Sequence, residues 1–112
     1  MRYRVIKPHR SSYSEILKVR VGDILAFERR PSEWPGWIWC TAPDSKSGWV
    51  PESWVVIDGD KCRLLRKYST AELTVEDGDI VEGDLIESGW AWVKNQLGES
   101  GWVPMKFMKA DG

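Results

Sequence analysis

The chain repeats itself. Gly22-Asp23-Ile24-Leu25 returns as Gly78-Asp79-Ile80-Val81, an offset of 56 residues. Gly36-Trp37-Ile38-Trp39-Cys40 returns as Gly89-Trp90-Ala91-Trp92-Val93 at an offset of 53, and Ser47-Gly48-Trp49-Val50-Pro51 as Ser100-Gly101-Trp102-Val103-Pro104 at the same offset. Three matches in order with one change of offset describe a duplication, the first copy carrying three extra residues in the loop-like stretch Arg29-Arg30-Pro31-Ser32-Glu33-Trp34-Pro35. In a chain of 112 residues each copy is about 55 residues, close to the smallest size at which a domain folds unaided.

Within each copy the apolar pattern has the period of strands. Leu17-Lys18-Val19-Arg20-Val21 and Leu73-Thr74-Val75 alternate and run toward Gly-Asp, a turn signal. Ile24 to Arg29 and Ile80 to Ile86 follow as apolar-rich strands. The Trp-x-Trp segments also have period two, which sets Trp37 and Trp39 on one face and Ile38 and Cys40 on the other, with Trp90 and Trp92 repeating this against Ala91 and Val93. The stretches between Thr41 and Gly48 and from Asn95 to Ser100 read as hairpin connections, and helical periodicity is sustained nowhere. The expected fold is all-β: two small five-stranded barrels in tandem, since closure limits exposed edges. Asp58-Gly59-Asp60-Lys61 is the only candidate linker. The expected boundaries are therefore 1–57 and 62–110, with the barrels touching or nearly so.

Several functions are excluded by what the chain lacks. No run of about 18 apolar residues is present and the first residues lack a secretory apolar core, so no membrane span is expected and the expected location is cytoplasmic. Cys40 and Cys62 are too few for a disulfide scaffold or a zinc site, and their assignment to different barrels argues against a bridge between them. With one histidine, His9, no nucleophile–base–orienter set can be assembled, and no glycine-rich phosphate loop is present. The acidic residues of the second copy read as a solvated face. No enzyme activity, metal or cofactor is expected. Net charge is −1 over the chain, but residues 1–57 hold nine Lys/Arg and six Asp/Glu while residues 58–112 hold seven and eleven.

The order strand, Gly-Asp, strand, Gly-Trp-x-Trp, hairpin, Gly-Trp-Val-Pro-x-x-aromatic-aliphatic resembles the Src-homology-3 (SH3) domain, twice over. The matching pieces are Leu17 to Leu25, Gly36 to Cys40 and Gly48 to Val55, then Glu72 to Val81, Gly89 to Val93 and Gly101 to Met108. The architecture is similar to that of small stand-alone prokaryotic SH3-like proteins. The resemblance implies binding of an extended, proline-rich segment, a conformation that loses little entropy on docking between aromatic rings. It also implies roles by position. Trp37 and Trp90 match the ligand-binding tryptophan, Pro51 and Pro104 the groove-floor proline, and Trp54 and Phe107 the groove tyrosine. Leu64-Leu65-Arg66-Lys67-Tyr68 matches the Ala-Leu-Tyr-Asp-Tyr stretch, so Tyr68 keeps the second tyrosine and Arg66 replaces the first. The first copy has Val5-Ile6-Lys7-Pro8-His9 there, with no tyrosine. Glu72 and Glu87 match the acids that grip a basic ligand.

The expected function is a non-enzymatic module for protein or peptide ligands. The expected site is Tyr68, Trp90, Pro104, Phe107, Glu72 and Glu87 in the second copy and Trp37, Pro51 and Trp54 in the first, with Tyr13 and Trp34 as additions. Trp49 and Trp102 are expected to pack, being next to Val50 and Val103, while Trp39 and Trp92 are assigned either to the groove or to a barrel interface. Two alternatives stand beside this reading. One is single-stranded nucleic acid stacked on the tryptophans of a basic first copy bearing Arg2, Arg4, Lys7, Arg10, Arg29 and Arg30. The other is a structural role in barrel–barrel or homo-oligomer packing.

Overall fold

Most alternating segments become strands, although Leu73-Thr74-Val75 contributes only an isolated bridge at Val75, and the strands combine in an unexpected way. The structure, a computed structural model, describes residues 1–11, 16–31 and 35–111. Its strands are β1 (Arg2–Val5), β2 (Lys18–Val19), β3 (Ile24–Glu28), β4 (Trp37–Thr41), β5 (Ser47–Pro51), β6 (Val55–Asp58), β7 (Lys61–Leu64), β8 (Tyr68–Ser69), β9 (Ile80–Glu87), β10 (Trp90–Lys94), β11 (Ser100–Pro104) and β12 (Met108–Ala110). Single 3₁₀ turns, Glu52–Trp54 and Met105–Phe107, precede β6 and β12. One five-stranded sheet has the order β5-β4-β3-β7-β6 and the other β11-β10-β9-β1-β12. These are two SH3-like barrels.

The first strand of each copy therefore sits in the other copy's barrel. β1 lies between β9 and β12, with Tyr3 opposite Val81 and Ala110. β7 lies between β3 and β6, with Cys62 opposite Leu25 and Ile57. The compact units are Ser14–Thr70, and Met1–Tyr13 with Ala71–Gly112. The expected division at 58–61 is thereby corrected. Asp58 and Lys61 face each other across a two-residue turn, and Gly59 alone there has positive φ, at 64°. That is the type II′ geometry, which calls for glycine at its first central position. A turn this tight returns β7 alongside β6 and cannot carry it to another sheet.

The two exchanged strands are anchored by identical bonds. Val5 N–H donates to the Asp79 carbonyl and Gly78 N–H to the Val5 carbonyl, while Ile6 N–H donates to Phe107. Likewise Leu64 N–H donates to Asp23, Gly22 N–H to Leu64, and Leu65 N–H to Trp54. Asp23 and Asp79 close the turns as expected, each accepting from a backbone N–H three residues earlier at 2.9 Å.

Packing explains which strand goes where. Leu25 and Val81 hold matching positions, and each meets a partner of complementary size: Cys62 beside the larger leucine, Tyr3 beside the smaller valine. Exchanging the two would overfill one core and leave a void in the other, and both errors destabilise. The buried set of the first-named unit includes Leu25, Ile38, Cys40, Val50, Cys62 and Leu64. That of the second comprises Tyr3, Val5, Leu73, Val75, Val81, Ala91, Val93, Val103 and Met108.

The strand exchange also removes the premise that kept the cysteines apart. Cys40 and Cys62 are buried in one unit as free thiols, sulfurs 3.8 Å apart. Desolvation pushes both thiols up, with the neighbouring sulfur adding to the rise at Cys40. A thiol kept protonated by folding contributes stability that is complete below its unfolded value, about 8.5, and fades as pH rises above it. Urea midpoints are accordingly expected to fall between pH 7.5 and pH 9.5, and a Cys40→Ala/Cys62→Ala variant to lose most of that slope (pH values about one unit either side of the free thiol). An equal slope in the variant would refute the assignment.

Candidate functional site

In each unit the tryptophan that opens the Trp-x-Trp strand faces the proline of Gly-Trp-Val-Pro. Trp37 is opposite Pro51 and Trp90 opposite Pro104. Both tryptophans are half-buried and both prolines buried. Each proline leads into the 3₁₀ turn with φ −60°, the value its ring imposes. The turn then delivers the aromatic three residues on, Trp54 or Phe107. Trp–Pro–aromatic thus occurs once per unit, built entirely from one copy.

The fourth member comes from the other copy. Tyr68, expected with Trp90, Pro104 and Phe107, lies instead in the Ser14–Thr70 unit. Its ring stands at 90° to Trp54, centroids 5.5 Å apart, and its hydroxyl donates to the Trp49 carbonyl at 2.7 Å. In the other unit its place is taken by His9. That residue forms an antiparallel bridge with Val75. Its ring meets Trp90 edge-on at 5.5 Å and Phe107 at 5.7 Å. The expected second-copy site is therefore split, and the correction follows directly from the strand exchange.

The acids are placed differently from expectation too. Glu72 is beside the groove, but its carboxylate oxygen lies 2.8 Å from His9 Nε2 and its side chain is only 7% exposed. Glu87 faces Trp90 across β9 and β10. In the Ser14–Thr70 unit, Glu52 accepts both guanidinium bonds of Arg29, at 2.8 and 3.0 Å. That contact raises the arginine and holds the carboxyl below its usual range. Tyr13 and Trp34 lie outside the described residues.

Three cations lie on the groove aromatics: Arg66 over Trp54, its guanidinium carbon 4.0 Å from the ring centroid, and Lys7 and Lys106 over Phe107 at 5.1 and 5.7 Å. In the sequence Arg66 stands only as a replaced tyrosine, and His9 has no assigned place in the site. Aligning Val5-Ile6-Lys7-Pro8-His9 with Leu64-Leu65-Arg66-Lys67-Tyr68 shows the equivalence, but not which barrel each stretch joins. The remaining tryptophans pair within their own units: Trp39 with Trp49 at 5.3 Å and Trp92 with Trp102 at 5.5 Å, each edge to face. Such cross-strand pairs stabilise a sheet beyond their buried area.

A family profile described as variant SH3 domain matches residues 2–58. The chain belongs to the variant SH3 family. No curated protein and no solved structure matches it. The match spans β1 through β6, one SH3 domain in linear order, whereas the folded SH3 barrels draw β1 and β2–β6 into different units. SH3 domains are protein-interaction modules without catalytic activity of their own. Among the described residues no helix is long and apolar enough to cross a membrane.

Proposed function

We propose that each unit is a non-enzymatic binding module that takes an extended peptide segment along its Trp–Pro–aromatic groove. The groove of one unit comprises Trp37, Pro51, Trp54 and Tyr68, and that of the other Trp90, Pro104, Phe107 and His9. The observation that carries this reading is the repetition. Two cores with different residues present the same half-buried tryptophan opposite the same buried proline. Packing alone would not require an indole to stay half exposed in both. The half-buried rings of Trp37, Trp90 and Phe107 offer surface beside the proline floor to an extended chain, whereas Trp54 and Tyr68 are each 6% exposed and mainly support it. Catalysis finds no support here, since the one histidine is engaged with a carboxylate and two rings.

The nucleic-acid reading loses its main support through the strand exchange. Arg2, Arg4, Lys7 and Arg10 leave the first copy's tryptophans for the other unit. The Ser14–Thr70 unit then holds nine Lys/Arg against eight Asp/Glu, and the other seven against nine. Neither has the charge excess that phosphate binding requires.

An array of short extended peptides, read with wild type and with Trp37→Ala/Trp90→Ala, tests the proposal. Losing one anchor indole at a groove is expected to weaken binding by about 2 kcal/mol, roughly thirtyfold, with the fold retained by circular dichroism. Peptides held equally by both proteins would overturn it.

A further inference from the structure

Arg66 and Lys7 stand at matching places in the two units, each on the stretch that follows an exchanged strand. Counted from the buried Leu64 and Val5 they hold the same position, and the rings beneath them, Trp54 and Phe107, hold the same position after Gly-Trp-Val-Pro. The arrangement has been kept twice, although the cation, the ring and the neighbouring groove residue all differ.

A cation held against an aromatic face is attracted by the ring's quadrupole, and that attraction occupies none of its N–H donors. Among the described residues, neither Arg66 nor Lys7 has a carboxylate within ion-pair distance. Glu52, on the same turn as Trp54, is occupied by both bonds from Arg29. The acid best placed to receive a basic ligand, Glu72, is buried against His9. Each groove thus places against an aromatic ring a cation with no carboxylate at ion-pair distance among the described residues, while Glu52 and Glu72 are already engaged.

We propose that the segment these grooves bind is acidic, with a carboxylate of the partner received by Arg66 over Trp54 and, at the equivalent place, by Lys7 over Phe107. The proposal rests on the groove reading above and adds the chemistry of the ligand. A fork of guanidinium donors matches a carboxylate in two parallel bonds, and the ring beneath lowers the entropy cost of presenting it.

Fluorescence anisotropy with three labelled peptides tests it: one proline-rich frame in which the intervening residues are all Glu, all Gln or all Arg. The Glu peptide is expected to bind about tenfold tighter than the Gln peptide, the Arg peptide weakest, with the preference shrinking as salt rises. Arg66→Glu combined with Lys7→Glu is expected to invert the order with the fold retained by circular dichroism, since both side chains are exposed and only their ring contacts are lost. If the Gln or Arg peptide binds as tightly as the Glu peptide, and Trp37→Ala/Trp90→Ala still abolishes that binding, the acidic assignment is overturned and the groove reading stands. If none of the three binds, both are overturned.

Discussion

Val5→Asp is expected to unfold the unit carrying the second copy's tryptophans while leaving the Ser14–Thr70 unit intact. Val5 is fully buried, its N–H and carbonyl both bonded to the turn at Gly78-Asp79, and it faces Met108 on β12. A carboxylate there has no partner, and the cost is about 4 kcal/mol or more. A unit of this size holds roughly 3–8 kcal/mol in all. Hydrogen exchange reads the result by segment. Protection should vanish across β9 to β12 and persist across β3 to β7. Leu64→Asp should give the reciprocal pattern, because Leu64 makes the equivalent bonds to Asp23 and Gly22. Loss of protection in β3 to β6 on Val5→Asp would mean that each strand stays with its own copy, and the exchange would be refuted.

The second large effect is expected at Gly83, in the middle of β9. A Cβ built there would lie 2.1 Å from the Trp92 carbonyl oxygen and 3.1 Å from the Val93 Cα, next to the register shift between Trp92 and Lys94. Gly101 is similar, 2.5 Å from the Leu73 nitrogen. These neighbours are backbone and cannot rotate away, so β9 and β10 would have to part. Overpacking of this kind costs about 3 kcal/mol, which for a unit this small is a drop in melting temperature of about 12 °C or more. Gly98→Ala is the control: its φ is +86° with open space around the Cβ, so only backbone strain of about 1 kcal/mol applies. Gly83→Ala melting no lower than Gly98→Ala would show that β9 and β10 do not approach this closely.

Much of the groove was legible because its parts are local. Trp-x-Trp alternation put Trp37 and Trp90 on the face opposite Cys40 and Val93, and burial follows that division residue by residue. The Gly-Trp-Val-Pro ends led into the turns bearing Trp54 and Phe107, a geometry that proline's fixed φ sets in the chain itself. Tyr68 and His9 were not legible in the same sense. Each belongs to the stretch after an exchanged strand, and its neighbours are chosen by where that strand docks. One signal was present and read as a linker: Asp58-Gly59-Asp60, between two apolar runs, is also a hairpin signal.

The duplicated order of turns, strands and tryptophan pairs is written in the chain, because each rests on the conformational limits of a few adjacent residues. The choice of barrel for β1 and β7 is not. Both strands alternate in the same way, and the backbone bonds that hold them would form equally well in either sheet. That choice was made by packing at a distance, Tyr3 against Val81 and Cys62 against Leu25, together with a turn too short to let β7 leave β6. Side-chain volume across a core is a property of residues far apart in sequence, and it exists only once the strands are side by side.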